Sequence, residues 1–364
     1  MTLDLSQPPA QLALALVDTP SVSGAETQLA DAVEAALAAL AHLRLDRDGN
    51  AVVARTELGR RQRVVVAGHL DTVPVKGNLP GWLRAGKLWG RGSADMKGGL
   101  AAMLSAAAAT RAPACDVTWV FYDQEEVAWA RSGLGRLLAR HPGWVAGDFG
   151  ILCEPTNASI EGGCNGSLRV AVAAEGRAAH SARPWTGLNA IHRLAPALDR
   201  LVGFEAARVR VDGLDYQESL SAVGIEGGGA PNVIPDRARL LVNYRFAPAK
   251  TEAEALGALE GLFAGYRVSV LDSAPGARPG LDHPLAARLA RVAAAWGAAA
   301  PRAKLGWTDV ARLAACGMPA VNLGPGDPEL AHQDQESCQA EQIERVAAIL
   351  GAFLAAPGGG AAPA

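Results

Sequence analysis

Five short segments, each carrying a histidine or acidic residues, occur along the chain and could together hold two metal ions. They lie where apolar runs stop and glycine or proline begins, which is where polar groups reach the rim of a sheet. Imidazole and carboxylate ligands without a thiolate are typical of a catalytic zinc site rather than a structural one. The segments are Gly68-His69-Leu70-Asp71, Gly90-Arg91-Gly92-Ser93-Ala94-Asp95-Met96-Lys97-Gly98-Gly99, Asp123-Gln124-Glu125-Glu126, Glu154-Pro155-Thr156 and Ala331-His332-Gln333-Asp334.

The first two segments contain one histidine and two aspartates that could take part in metal binding. His69 and Asp71 are two positions apart at the end of a predicted strand, so their side chains leave on the same side. A carboxylate behind a ligating histidine fixes its tautomer and raises its basicity. Asp95 follows a glycine-rich turn and precedes a predicted helix, where one carboxylate can bridge two ions.

The remaining segments complete two ligand sets. Glu125 and Glu126 are adjacent at a strand end, so one of them can bind a metal while the other reaches a bound water. With Glu154 and His332 added, each ion has one imidazole, one carboxylate that binds it alone, and the shared Asp95. Paired divalent ions activate water and polarise a carbonyl, and a nearby glutamate can move the proton to a leaving amine. This is the chemistry of amide hydrolysis.

Other chemistries have less support. The chain shows no Gly-x-Ser-x-Gly elbow and no P-loop, and the glycines at 90–92 do not make a dinucleotide fingerprint. Each candidate also has an ordinary explanation alone, since paired glutamates often form a solvated face and an aspartate often caps a helix. It is the joint occurrence of the segments that favours metal chemistry. Four further histidines lack a carboxylate motif and are interpreted as surface or core residues: His42, His141, His192 and His283.

Composition is that of a soluble globular enzyme. The chain has 364 residues, of which 49% are hydrophobic and 20% charged, enough for two or three domains. The net charge of -3 does not favour binding to nucleic acid or to an anionic membrane. Five scattered cysteines without C-x-x-C spacing, and an N-terminus without the layout of a secretory signal, predict a cytoplasmic protein.

The order of predicted elements indicates an α/β fold. The run 63–67 is nearly continuous and β-branched, as in a strand buried on both faces, and 117–122, 149–153 and 320–323 resemble it. These strands alternate with helices, which favours a mostly parallel sheet covered by helices. The helices are predicted over 26–43, 96–110, 284–296 and 339–354.

A smaller α+β domain interrupts this pattern. The stretches 168–175, 220–226 and 237–246 alternate apolar and polar residues, as half-exposed antiparallel strands do. The stretches 188–201 and 252–263 are predicted to be two helices on one face of that sheet. We therefore expect a catalytic domain at 1–165 and 275–356, an insert at 166–274 and a disordered tail at 357–364.

At these residues the sequence resembles the aminoacylase, acetylornithine deacetylase and desuccinylase family of dizinc hydrolases. The resemblance covers about 11–354 and rests on the combination of Gly68 to Pro74, Gly92 to Gly99, Glu125-Glu126 and His332 ahead of an acidic pair. It implies a zinc-peptidase-like catalytic domain and a ferredoxin-like insert that serves as lid and dimerisation domain. A desuccinylase subgroup of actinobacterial type is indicated by segments 122–127, 161–166, 232–236, 306–309 and 322–328.

The resemblance assigns roles to the metal and base candidates. One zinc ion would be held by His69, Asp95 and Glu154. The second would be held by Asp95, Glu126 and His332, with Co²⁺ or Mn²⁺ as possible substitutes. Glu125 would be the general base, Asp71 would support His69, and the peptide bond between Asp95 and Met96 is expected to be cis.

The resemblance also implies a homodimer and a set of substrate contacts. His180 would reach the partner subunit's active site and stabilise the oxyanion. Asn232 and Arg245 would bind substrate, and the Arg245 fork suits a carboxylate. Thr308 and Arg183 are further candidates, although Arg183 is equally explained as surface charge.

The substrate implied is a small acyl-amino acid, N-succinyl-LL-2,6-diaminopimelate, which would be hydrolysed to succinate and diaminopimelate. An acetylated ornithine or a dipeptide is the alternative within the same chemistry. A binding protein that retains the fold without catalysis is the alternative from another class.

Overall fold

The computed structural model describes residues 2–355, and the tail predicted at 357–364 lies outside that range. The α-helices, in chain order, are α1 Pro9–Val17, α2 Thr27–Ala38, α3 Lys97–Ala109, α4 Gly133–Arg140, α5 Pro142–Val145, α6 Ala195–Val202, α7 Glu252–Leu262, α8 Pro284–Ala295, α9 Val310–Ala315 and α10 Ala340–Leu354. The strands are β1 Arg44–Asp48, β2 Ala51–Arg55, β3 Arg63–His69, β4 Trp82–Arg84, β5 Lys87–Trp89, β6 Asp116–Tyr122, β7 Phe149–Leu152, β8 Glu161–Gly162, β9 Gly166–Glu175, β10 Ala179–His180, β11 Arg208–Val211, β12 Leu214–Gln217, β13 Ser219–Gly227, β14 Val233–Ile234, β15 Arg237–Phe246, β16 Arg267–Ala274, β17 Arg302–Ala303, β18 Ala320–Asn322 and β19 Ser337–Gln339.

The chain forms two compact units. The first contains the chain up to Gly163, Pro279–Arg302 and the chain from Thr308 onward. The second contains Cys164–Arg278 and the short stretch Ala303–Trp307.

The first unit is built on an eight-stranded sheet of order β1-β2-β6-β3-β7-β18-β8-β17. Its four central strands, β6, β3, β7 and β18, are parallel, and β1, β2 and β8 pair antiparallel at the flanks. Strands β6 and β7 are buried throughout, as expected of strands covered on both faces. The predicted α/β class with a mostly parallel sheet is confirmed.

Helix α3 lies unusually close to the end of β7 because of a glycine. A Cβ atom on Gly99 would lie 2.2 Å from the carbonyl oxygen of Cys153, which no side chain tolerates. The first turn of α3 therefore approaches the residue that follows β7. This approach brings Asp95, just before α3, to the same edge of the sheet as Glu154.

The second unit contains a four-stranded antiparallel sheet of order β13-β15-β9-β16. With α6 and α7 included, the chain order is β-α-β-β-α-β, the ferredoxin-like arrangement that was predicted. Burial alternates along β9 and β15, and the buried face packs against residues of both helices. The alternation of apolar and polar residues thus identified these strands correctly.

Some helix predictions were wrong in detail. Helix α1 was not predicted, and the helix expected over 26–43 ends at Ala38. The helix expected over 188–201 begins only at Ala195, after a 3₁₀ turn. The Asn189 side chain explains the delay, because its oxygen accepts the backbone N–H groups of Ile191 and His192 and forms a turn there.

Candidate metal centre

The metal-ligand candidates of the first unit lie at the carboxyl ends of neighbouring parallel strands. His69 is the last residue of β3, Glu125 and Glu126 follow β6, and Glu154 follows β7. The register pairs His69 with Tyr122, so β3 and β6 end side by side. Open α/β sheets usually bind ligands at this edge.

One group of side chains forms around His69. Its Nε2 atom lies 3.1 Å from Oδ1 of Asp95 and 3.8 Å from Oε1 of Glu154. All three side chains are largely buried, with 1%, 13% and 6% of their surface exposed. This is the set that the resemblance assigned to the first zinc ion.

A second group forms around His332. Its Nε2 atom lies 2.8 Å from Oε1 of Glu126 and 3.5 Å from Oδ2 of Asp95. The two oxygens of Asp95 therefore face two different imidazoles. One ligand atom each from His69, Asp95 and Glu126 also lie within 4.8 Å of one another. Two imidazoles and three carboxylates, with Asp95 common to both groups, are a donor set that fits two divalent cations.

Asp71 contacts both His69 and the two glutamates. Nδ1 of His69 lies 3.0 Å from the carbonyl oxygen of Asp71 and 3.5 Å from its carboxylate, which leaves Nε2 directed at Asp95. The Asp71 carboxylate also accepts the backbone N–H groups of Glu125 and Glu126 at 2.9 and 3.0 Å, and the hydroxyl of Ser23 at 2.7 Å. The contact between the Asp71 carboxylate and His69 was predicted from the sequence, and the contacts to Glu125, Glu126 and Ser23 were not.

The charges of the cluster perturb its pKa values. Hydrogen bonds to Asp95 and Glu126 raise the pKa of His332 to about 10. Burial opposes the charged form of His69, but hydrogen bonds to Asp71 and Asp95 raise its pKa well above the usual range. Burial raises the pKa of Glu125, with Glu126 and Glu154 adding to the effect. Clustered carboxylates whose charges repel one another are stabilised when a cation binds among them.

The backbone around the cluster has two unusual conformations. The peptide bond between Asp95 and Met96 is cis, as expected, and His332 has a φ of 65°. A non-glycine residue rarely adopts such a φ, and it persists where surrounding contacts hold it.

Two buried groups beside the cluster were not predicted. Arg91 and Glu336 form an ion pair of 2.8 Å, and Glu336 accepts the backbone N–H of Asp95. Asp309 and Tyr122 are both fully buried near Glu125, with Arg312 pairing to Asp309. The sequence offered one signal for the first group, which is the charged residue Arg91 inside a candidate metal-binding segment.

Three of the other candidates lie together in the second unit. His180 in β10 pairs with Val233 in β14, and the backbone N–H of Ser181 donates to the carbonyl of Asn232. The backbone N–H of Arg183 donates to the carbonyl of His180 at 2.8 Å. All three side chains are exposed, and the pairing of β10 with β14 places Asn232 beside the turn from His180 to Arg183.

The last two candidates lie apart from that turn. Arg245 is in β15, paired in register with Ser219 and Ser167. Thr308 belongs to the first unit and is 2% exposed, and its hydroxyl donates to Asn322 at 2.8 Å. Their role as substrate contacts stays a prediction.

A parallel-sheet unit with a two-imidazole carboxylate cluster at its edge, joined to a ferredoxin-like unit, defines a metallohydrolase of the zinc-peptidase class. The chain belongs to peptidase family M20/M25/M40, whose model matches residues 65–356. It is 50% identical to the putative succinyl-diaminopimelate desuccinylase of Mycobacterium tuberculosis, over 97% of this chain and 99% of that one. It is 45% identical to the succinyl-diaminopimelate desuccinylase of Corynebacterium glutamicum, over 97% of each chain.

The fold is also similar to that of solved structures. The M20 family metallo-carboxypeptidase Sso-CP2 of Sulfolobus solfataricus superimposes with a TM-score of 0.79 over 96% of this chain and 98% of that one, at 15% identity. Within residues 2–355, the helices are all too short or too polar to cross a membrane.

Proposed function

We propose that the protein is a dizinc amide hydrolase that converts N-succinyl-LL-2,6-diaminopimelate and water to succinate and LL-2,6-diaminopimelate. This reaction serves lysine and diaminopimelate biosynthesis, which would place the enzyme in the cytoplasm. The relatives with 50% and 45% identity support the choice of substrate. The observation that carries the chemistry is Asp95, whose two oxygens face His69 and His332 separately.

The proposed ligand sets follow the two groups of side chains. His69, Asp95 and Glu154 would hold one zinc ion, and Asp95, Glu126 and His332 the other. When bound, the two cations would supply Lewis-acid activation of water and of the amide carbonyl. Co²⁺ or Mn²⁺ would be accepted by the same donors.

Glu125 would move the proton. Its backbone is fixed by Asp71, and burial, with Glu126 and Glu154 adding to the effect, raises its pKa above the usual value. A carboxylate with a raised pKa is better suited to return a proton after taking one. It would take a proton from the attacking water and deliver it to the amine of diaminopimelate as the amide bond breaks. No covalent bond between enzyme and substrate is required.

The second unit would supply substrate contacts. The substrate carries three carboxylates, and Arg245 can grip one of them with two parallel hydrogen bonds. His180 would donate to the developing oxyanion from the partner subunit of a homodimer, with Asn232 beside it. Arg183 and, in the first unit, Thr308 are further candidates for polar contact.

The test is a side-by-side rate measurement on the purified, zinc-loaded protein. We expect release of succinate from N-succinyl-LL-2,6-diaminopimelate, with kcat/KM well above that for N-acetylornithine or a dipeptide. Glu125→Gln should reduce kcat by about 100- to 10,000-fold, whereas Glu341→Gln, at an exposed helical residue, should leave kcat unchanged. If the succinyl substrate stays intact while one of the other amides is cleaved, the proposed substrate is wrong and the chemistry stands.

A further inference from the structure

A buried ion pair lies directly behind the metal cluster. Nη1 of Arg91 is 2.8 Å from Oε2 of Glu336, and each residue is only 1% exposed. A buried ion pair does not by itself stabilise a fold more than apolar packing would, so its hydrogen bonds indicate what else it does.

Glu336 fixes the segment that carries Asp95, the carboxylate shared by the two proposed ligand sets. Its Oε1 atom accepts the backbone N–H groups of Ala94 and Asp95, both at 3.0 Å. Neither N–H belongs to a regular helix or strand, because α3 begins only at Lys97. The position of Asp95 therefore depends on a residue distant in sequence.

Arg91 fixes the segment that carries His332. Its Nη1 atom also donates to the carbonyl of Gln333 at 3.2 Å, and the backbone N–H of Gly90 donates to the carbonyl of Glu336 at 3.1 Å. His332 itself has a φ of 65° and a side chain that is 52% exposed. Its own burial therefore does little to hold it in place.

The other two ligand candidates have a different support. His69 ends β3, and the residue before Glu154 donates its backbone N–H to Ala67 at 2.9 Å, in continuation of the sheet. These two positions are maintained by sheet hydrogen bonds that do not involve Arg91 or Glu336.

We infer that the Arg91–Glu336 pair is a positioning device for one cation in particular, the one held by Asp95, Glu126 and His332. The inference rests on the proposed metal centre. The pair ties the segment of Asp95 to the loop of His332. His332 would be a ligand of that ion alone, whereas Glu126 is held by its backbone N–H bond to Asp71. Side chains that orient metal ligands typically change metal affinity by about 10- to 100-fold when replaced.

The experiment measures metal binding, by zinc stoichiometry against buffered free zinc and by the visible spectrum of the cobalt-substituted protein. Glu336→Gln should weaken binding of the ion held by Asp95, Glu126 and His332 by about 10- to 100-fold, and binding of the other ion, which loses only the support of Asp95, by a smaller factor. Because the single variant leaves a buried guanidinium unpaired, the double variant Arg91→Met/Glu336→Gln is measured beside it and should show the same split.

The matched control is Glu218→Gln in the second unit. Glu218 is also 1% exposed, and its carboxylate accepts hydrogen bonds from the backbone N–H of Ala247, the hydroxyl of Tyr244 and the ammonium group of Lys250. The Glu218→Gln substitution should lower the stability of the fold and leave the affinities for both zinc ions unchanged. If Glu336→Gln and the double variant bind both ions as tightly as wild type, or weaken both ions equally, the inference is overturned and the proposed function is left intact. A wild-type protein that binds no metal would instead overturn the proposed function.

Discussion

The backbone N–H of Glu125 donates a 2.9 Å hydrogen bond to Oδ1 of Asp71, the same oxygen that lies 3.5 Å from Nδ1 of His69. One carboxylate atom thus connects the proposed base to a proposed metal ligand. The other oxygen of Asp71 accepts the N–H of Glu126 and the hydroxyl of Ser23. The geometry of ligand and base is therefore set by a residue that need not touch the substrate.

Replacement of Asp71 by asparagine should lower kcat/KM by about 10- to 100-fold. The two backbone N–H groups donate to different oxygens of Asp71, so in asparagine the NH2 group would face one of them. Steady-state kinetics on the zinc-loaded variant checks this. A matched control is Asp116→Asn, since Asp116 is also buried and accepts two backbone N–H groups and the hydroxyl of Thr56. Equal rates for the two variants would show that Asp71 has only a structural role.

Glu125 and Glu126 should respond differently to the same substitution. Glu126 lies 2.8 Å from His332 and belongs to the compact ligand group, whereas Glu125 does not. Glu125→Gln should reduce kcat by about 100- to 10,000-fold with both zinc ions retained, as for the loss of a general base. Glu126→Gln should lose zinc. Metal analysis and kcat on both variants test the assignment, and retention of both ions by Glu126→Gln would contradict it.

The site residues that could be predicted from sequence are those that stand in a short motif of metal-binding or acid–base side chains. His69, Asp95, Glu126, Glu154 and His332 stand in recognisable motifs, and the structure brings these side chains together. The parallel strands were also accessible, because burial on both faces makes an apolar run continuous.

The parts that could not be read depend on distant partners. Nothing local to Glu336 says that it accepts the N–H of Asp95, and nothing near Ser23 points to Asp71. Helix α1 begins without a side-chain cap, and Pro9 at its first position was the one start signal available. Such contacts are defined by the packing of the chain and leave no periodic pattern.

Metal binding should release protons and weaken as the pH falls. The pKa of His332 is raised to about 10 by Asp95 and Glu126, and that of His69 is raised as well, so both imidazoles are protonated at neutral pH before a cation displaces the proton. Below these pKa values, affinity should fall about tenfold per pH unit for each proton displaced. Calorimetry in two buffers of different ionisation enthalpy counts the protons. A metal affinity that does not change between pH 6 and 8 would contradict the prediction. Removal of zinc by a chelator should abolish enzymatic activity reversibly.

Asp116 should stabilise the fold in a pH-dependent way. Burial opposes its charge, but hydrogen bonds from Leu58, Thr56 and Arg60 lower its pKa below the usual value. A lowered folded pKa means that the stabilisation is present above the unfolded value and is lost as the pH falls through the folded one. Asp116→Asn should therefore cost about 1–3 kcal/mol at pH 7 and progressively less below pH 4. Urea unfolding of both proteins at several pH values measures the difference, and a constant difference down to pH 2 would be inconsistent with this account.

His180 acting across a dimer can be tested by mixing subunits. A His180→Ala subunit keeps Glu125, and a Glu125→Gln subunit keeps His180, so a hybrid dimer would have one complete site if His180 works in the partner's active site. Random reassembly of the two inactive proteins should then restore about a quarter of the wild-type activity, since half of the dimers are hybrids with one competent site of two. If His180 works within its own chain, each hybrid site lacks one of the two residues and mixing restores nothing. The same mixing with His192→Ala in place of His180→Ala controls for activity lost during reassembly and should retain about half of the wild-type activity. His192 lies exposed on the 3₁₀ turn of the second unit and has no proposed catalytic role.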